Sequence, residues 1–130
     1  MNSKRYSGVI VKHKDKCLLC KRNNLGSFPG MWSIPGGKIE ENEETLDAAK
    51  REFFEETNIQ INKPLLYVGT SVDQNNDHKM DVFLVDFDEK ISVSLEKARD
   101  GFEHIECGYF PIDNLPTPIS EKLKQIIKQI

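Results

Sequence analysis

Three glutamates near the middle of the chain, Glu52, Glu55 and Glu56, are spaced so that a helix carries them on one stripe. At about 100° per residue, Glu56 lies about 40° to one side of Glu52 and Glu55 about 60° to the other. Leu46, Ala49 and Phe53 fall within one narrow sector beside them, which marks the buried face. Ala48, one turn before Glu52, shares the acidic stripe and leaves space above it. Residues 40–56 hold eight Asp or Glu against two Lys or Arg, whereas the whole chain carries a net charge of only -3. Like charges at i and i+4 repel on a helix, so such a segment persists most easily with a cation beside it. The ordinary meaning of a charge run is a solvated face. The chemical alternative is a divalent metal, because hard ions such as Mg²⁺ take oxygen ligands and keep substrate phosphates in their shell. Gly36 and Gly37 stand just ahead of the run, and backbone without a Cβ can approach an ion closely.

The elements around this stretch follow from pattern. Thr45 is the expected N-cap, with Leu46 opening the helix and Asp47 placing negative charge in its first turn, which leaves Glu40 to Glu44 in the preceding loop. Residues 5–13 and 16–21 read as a hairpin turning at Lys14 and Asp15. Residues 22–31 hold Asn, Gly and Pro without a period, a long loop of the kind that carries function. A short strand at 32–34 then delivers the chain to the glycine pair and is expected to stop at Pro35. Further strands are expected at 64–73, 79–87 and 103–110. A last helix is expected to be capped by Thr117, with Pro118 as its first residue and an apolar stripe of Ile119, Leu123, Ile126, Ile127 and Ile130 facing the sheet.

A chain of 130 residues with 38% hydrophobic and 30% charged residues reads as one soluble globular domain, 1–130, large enough for its own core. Its net charge gives no reason to expect binding to duplex nucleic acid or to an anionic membrane. No apolar run approaches the ~18 residues that span a bilayer. The N-terminus runs straight into a strand pattern, so no signal peptide is expected and the cytoplasm is the default location. Cys17, Cys20 and Cys107 form an odd set that suits a reducing compartment. Cys17 and Cys20 spell CxxC, but an offset of three puts them on opposite faces of a strand, and no second pair completes a zinc site, so they are read as structural.

Taken together, Gly37, five residues, Glu43, seven residues and then Arg51-Glu52-Phe53-Phe54-Glu55-Glu56-Thr57-Asn58-Ile59 resembles the signature box of the Nudix hydrolases. One fixed position departs: the family has glycine where this chain has Asn58. That glycine closes the helix in a left-handed conformation, which Asn adopts more readily than other non-glycine residues. The preceding Trp32-Ser33-Ile34-Pro35-Gly36 and the Glu103-His104 pair also look like the family.

The resemblance implies an α/β/α sandwich, a mixed β-sheet between the box helix and the C-terminal helix. It implies hydrolysis of a nucleoside diphosphate linked to another group, with Mg²⁺ or Mn²⁺. Metal ligands would be Glu52, Glu55, Glu56 and the carbonyl of Gly36, with Glu52 also a candidate general base. Arg51 would orient the carboxylates, Glu43 would fold towards it as a structural ion pair, and Gly37 and Asn58 would be structural positions of the box. Glu103 is a candidate extra ligand or alternative base, against the plain reading of a solvated loop carboxylate, with Glu106 behind it. Arg22 would contact substrate phosphates, Lys38 and Lys21 being weaker candidates. Phe28 would stack on a base, whereas Trp32 is assigned to packing. The expected substrate is a small nucleotide, first a nucleoside or deoxynucleoside triphosphate, with ADP-ribose, a nucleotide sugar or a dinucleoside polyphosphate as alternatives. The oxidised-guanine branch has an Asn before its last helix where this chain has Ile119, and Asn114 lies earlier. A reading of another class is a non-catalytic Nudix-fold nucleotide-binding module, although such modules typically lose box carboxylates that are present here. Monomer and homodimer are both compatible with the family.

Overall fold

A computed structural model describes residues 4–23, 29–73, 78–93 and 104–130. Strands β1 (Lys4–His13) and β2 (Lys16–Arg22) form the expected hairpin, and Lys14 takes a φ of 55° at its turn. In chain order there follow β3 (Trp32–Ser33), β4 (Gly36–Lys38), α1 (Thr45–Thr57), β5 (Leu66–Asp73), β6 (His78–Asp86), β7 (His104–Pro111) and α2 (Glu121–Lys128). The strands are ordered β3-β2-β1-β6-β5, with β4 added to β1 and β7 to β2. Among the described strands β1 and β6 run parallel and the other paired strands antiparallel, so the sheet is mixed.

Alternation along the strands divides the apolar residues between two cores. Val9, Val11 and Leu18 meet Ala49 and Phe53 of α1, while Ile10, Cys17 and Leu19 meet Leu123 and Ile127 of α2. Phe53, with no exposed surface, anchors the first core. Full burial of such a side chain stabilises by about 1.5–3 kcal/mol. A helix therefore covers each face of the sheet, and the sandwich is the one that the sequence implies.

Local chemistry departs from expectation where distant chain segments compete. β1 and β2 are paired near their turn, and at its other end β1 pairs instead with β4, placing Tyr6, Ser7 and Gly8 opposite Lys38, Gly37 and Gly36. The short strand β3 does end before Pro35, as expected, but the glycine pair then opens a further strand, β4. Gly36 allows this approach, since a Cβ there would lie 2.5 Å from the Ser7 carbonyl oxygen and 2.7 Å from Gly8 Cα. Thr45 is not the cap of α1 but its first residue; Glu44 holds the cap position with no side-chain hydrogen bond. The buried Ser7 explains the difference: its Oγ donates to the Thr45 carbonyl at 2.7 Å and accepts from Thr45 Oγ1 at 3.2 Å. At the other end Asn58 takes the left-handed conformation, φ 61°, and donates its amide to the Phe54 carbonyl at 2.7 Å.

Helix α2 begins three residues after the expected Pro118. The Pro118 carbonyl accepts from the Trp32 amide at 2.9 Å and Ile119 forms a bridge with Trp32, so this segment extends the sheet edge. Ser120 caps the helix, accepting from the Leu123 amide at 3.4 Å. Cys20 and Cys107 face one another across β2 and β7 and form a disulfide, a pairing that the odd cysteine count did not suggest. Cys17, on the opposite face, is free and buried, and burial pushes its thiol up to about 12.

Candidate active site

Glu52 belongs to α1, on one side of the sheet, yet it lines a cleft of about 810 Å³ whose other walls lie on the α2 side. Ile34, Met80 and Ile119 line that cleft and belong to or pack on the α2-side core. The glycine pair of β4 makes the connection. A Cβ added at Gly37 would collide with the Glu52 carboxylate, so the missing side chain is the window through which the acid reaches the cleft.

Arg51 organises the carboxylates around this window. Its Nε and Nη2 donate to the two oxygens of Glu43 at 2.8 and 2.9 Å, and Nη2 also donates to the Lys38 carbonyl at 3.0 Å. Its Nη1 lies 2.9 Å from Glu52, 3.4 Å from Glu55 and 3.5 Å from Glu40. The hydrogen bonds from Arg51 hold the Glu43 carboxyl below its ordinary range, and Glu43 in turn raises the guanidinium pKa. Glu56 turns the other way, beneath β4, where its Oε1 accepts from the Gly36 amide at 3.0 Å and Oε2 is buried too.

Among the described residues, no three His, Cys, Asp or Glu side chains are drawn into a ready metal cluster. The donor chemistry nonetheless fits a hard divalent ion. The Glu40, Glu52 and Glu55 carboxylates converge on the Arg51 Nη1, and the Glu52 carboxylate also lies against Gly37.

Arg22 reaches the same cleft by an irregularity. Along β2, Leu18 faces the α1-side core while Cys17 and Leu19 face the other, so strict alternation would turn Arg22 towards α1. The register of β2 against β7 shifts between Lys21 and Arg22, and Arg22 lines the cleft. Lys38 and Tyr6, register partners across β4 and β1, line it as well. Burial raises the Tyr6 phenol pKa, and the nearby positive charge of Arg22 works against that rise.

A family model described as NUDIX domain matches residues 2–130. The chain belongs to the Nudix family. Nudix hydrolases generally use divalent metals such as Mg²⁺. Among its relatives, the ADP-ribose pyrophosphatase of Methanocaldococcus jannaschii is 32% identical over 109 residues, covering 82% of this chain and 61% of that protein. An m7GpppN-mRNA hydrolase of Danio rerio is 46% identical over 54 residues, covering 41% of this chain and 18% of that protein. The chain thus spans less than two thirds of the length of these relatives. The crystal structure of a MutT NUDIX hydrolase from Burkholderia pseudomallei shares the fold, with a TM-score of 0.81 at 23% identity over 100% of this chain and 99% of that one.

Set on this Nudix frame, Glu43, Arg51, Glu52 and Glu55 are brought into one network, and Gly36, Gly37, Lys38, Arg22 and Glu52 share the cleft wall. Trp32 is buried and meets Phe110 edge-on at 4.9 Å, in keeping with its assignment to packing, while also bordering the cleft. Glu106 is exposed on β7 opposite Lys21, away from the lining of the cleft. Phe28 and Glu103 lie outside the described residues. Sequence reasoning missed Tyr6, His78 and Met80, which also line the cleft. They come from strands whose parallel pairing leaves no spacing signal in the chain.

Proposed function

We propose that this chain catalyses Mg²⁺-dependent hydrolysis of a nucleoside diphosphate linked to a further group, first of all a nucleoside or deoxynucleoside triphosphate, releasing the monophosphate and pyrophosphate. The observation that carries the reading is the passage of Glu52 through the Gly37 window into a cleft that also holds Arg22 and Lys38. An acid and two cations then border one cleft.

A bound divalent ion supplies Lewis acidity that favours water attack at phosphorus and offsets charge growing on the leaving phosphate oxygen. In this proposal Glu52, Glu55 and the Gly36 carbonyl would hold it, with Glu56 joining from beneath β4, where it now accepts from the Gly36 amide. Glu52 also takes the proton of the attacking water, being the box carboxylate that lines the cleft. Arg22 pairs with phosphate oxygens through its planar fork, and Lys38 adds a point charge. Arg51 is a positioning residue: tied to Glu43 by two hydrogen bonds, it fixes the rotamer of Glu52. Glu103 remains the alternative base, and the whole chain acts as one domain.

ADP-ribose is the second reading, favoured by the similarity to the Methanocaldococcus jannaschii enzyme over most of this chain. Release of phosphate or pyrophosphate from a panel of triphosphates, ADP-ribose, nucleotide sugars and dinucleoside polyphosphates, with and without Mg²⁺, tests the proposal. Turnover of at least one member that stops on chelation is expected. Failure on every member would leave only the non-catalytic binding module.

A further inference from the structure

Glu52 reaches the cleft only while α1 keeps its place on the sheet. Ala48 and Ala49, both fully buried, bring the helix close to the strands, but side chains so small form shallow ridges that do little to resist rotation about its axis. Directional contacts must supply that resistance. The Gly36 amide donates to Glu56, and Arg51 donates to the Lys38 carbonyl, each at 3.0 Å. Both side chains belong to the acidic box that the ion would enter, so neither tie is independent of it.

Ser7 stands outside the box. On β1 its backbone lies opposite Gly37, and its carbonyl oxygen is the atom that a Cβ on Gly36 would meet first. Its side chain has no exposed surface and turns to the first residue of α1, donating to the Thr45 carbonyl at 2.7 Å and accepting from Thr45 Oγ1 at 3.2 Å. One residue thus meets the window with its main chain and the helix that carries the acid with its side chain. Glu44, at the cap position, makes no side-chain hydrogen bond, so the Ser7 pair ties down an end of α1 that lacks a side-chain cap. Thr45 and Glu52 are about 20° short of two full turns apart and therefore share one side of the helix. With side chains reaching about 5–6 Å from the axis, a roll of about 10° moves the Glu52 carboxylate about 1 Å. A shift of that size at a reacting group is felt strongly in rate.

We propose that Ser7 is a positioning residue: through Thr45 it fixes the roll of α1 against the Gly37 window and so sets where the Glu52 carboxylate stands. The inference rests on the proposed hydrolase reading, in which Glu52 is metal ligand and base. It is tested by making Ser7→Ala in the whole chain, alone and in the Glu52→Gln background, and measuring both Mn²⁺ binding by calorimetric titration and steady-state hydrolysis. With Glu52 present, Ser7→Ala is expected to weaken Mn²⁺ binding about tenfold and to lower kcat about tenfold, with KM little changed. In the Glu52→Gln background it should alter neither, because the group it positions is gone. Val11→Ala, a core change beneath α1 at the other end of β1, should lower the melting temperature without lowering kcat. Equal losses from Ser7→Ala in both backgrounds, or wild-type kcat and Mn²⁺ affinity in the single variant, overturn the inference. So does a Val11→Ala variant that loses kcat in the same proportion to its loss of melting temperature. Should Ser7→Ala fail to fold, Thr45→Val removes one of the two hydrogen bonds and decides: a smaller loss that depends on Glu52 supports the assignment, and one that does not depend on it refutes it. A wild type that binds Mn²⁺ but hydrolyses nothing sinks the hydrolase reading alone, and the Mn²⁺ comparison still decides this one. Hydrolysis with no dependence on Ser7 sinks this one alone, and a wild type that neither binds Mn²⁺ nor turns over substrate removes both.

Discussion

The adjacent glycines of β4 are expected to respond to the same substitution in opposite ways. At Gly37 an added Cβ meets the Glu52 carboxylate, the far end of a flexible side chain, with all three of its nearest atoms drawn from that group. Glu52 can swing aside, so Gly37→Ala should fold with a melting temperature within a few degrees of wild type. The carboxylate is nevertheless displaced from the window. A misplacement of about 1 Å at a reacting group costs about 10²-fold in rate, and that is the expected loss in kcat/KM. At Gly36 the added Cβ meets backbone, 2.5 Å from the Ser7 carbonyl oxygen and 2.7 Å from Gly8 Cα. Strands β1 and β4 must separate, at the cost of about 1–3 kcal/mol typical of overpacking. At roughly 4 °C per kcal/mol, Gly36→Ala should melt about 4–12 °C lower. Thermal unfolding by circular dichroism and steady-state kinetics on one substrate measure both quantities. A Gly37→Ala variant with full activity, or one that loses as much stability as Gly36→Ala, would refute the window.

Two further expectations concern the box. Asn58 takes a left-handed φ of 61°, so Asn58→Gly should be neutral or slightly stabilising, whereas Asn58→Ala should cost about 1 kcal/mol in urea unfolding; equal stability of the two variants would contradict the cap. Glu43 has its folded-state pKa lowered by Arg51 from an ordinary 4.5, so its contribution is present above that value and is lost as pH falls through the lower folded one. Glu43→Gln should therefore be less stable than wild type at neutral pH, with the gap closing on acidification below 4.5; a gap constant with pH would remove the ion pair from the account.

What the sequence could disclose was whatever depends on local period. The sector of Leu46, Ala49 and Phe53 marked the buried face of α1, and two of those three residues are fully buried. The left-handed conformation at Asn58 was implied by the resemblance to the Nudix box, and the strands of the hairpin followed from their composition. Distant partners concealed the rest. Thr45 has the side chain of a cap, but Ser7, 38 residues away, claims its carbonyl and hydroxyl. Pro118 has the chemistry of a first helical residue, but Trp32 pairs with its carbonyl. Gly36 and Gly37 look like a strand terminator until β1 lies beside them. Tyr6 and His78 meet only because β1 and β6 run parallel, and Cys20 meets Cys107 only because β2 and β7 pair.

The central claim is that Glu52, delivered through Gly37 into the cleft, performs the chemistry. Comparing wild type with Glu52→Gln for Mg²⁺-dependent hydrolysis of the best substrate from the panel tests it most directly. The substitution keeps shape and removes charge. The expected result is a folded variant whose kcat falls about 10²- to 10⁴-fold, the range for loss of a positioned base. A Glu52→Gln variant that hydrolyses the substrate as fast as wild type would contradict the account.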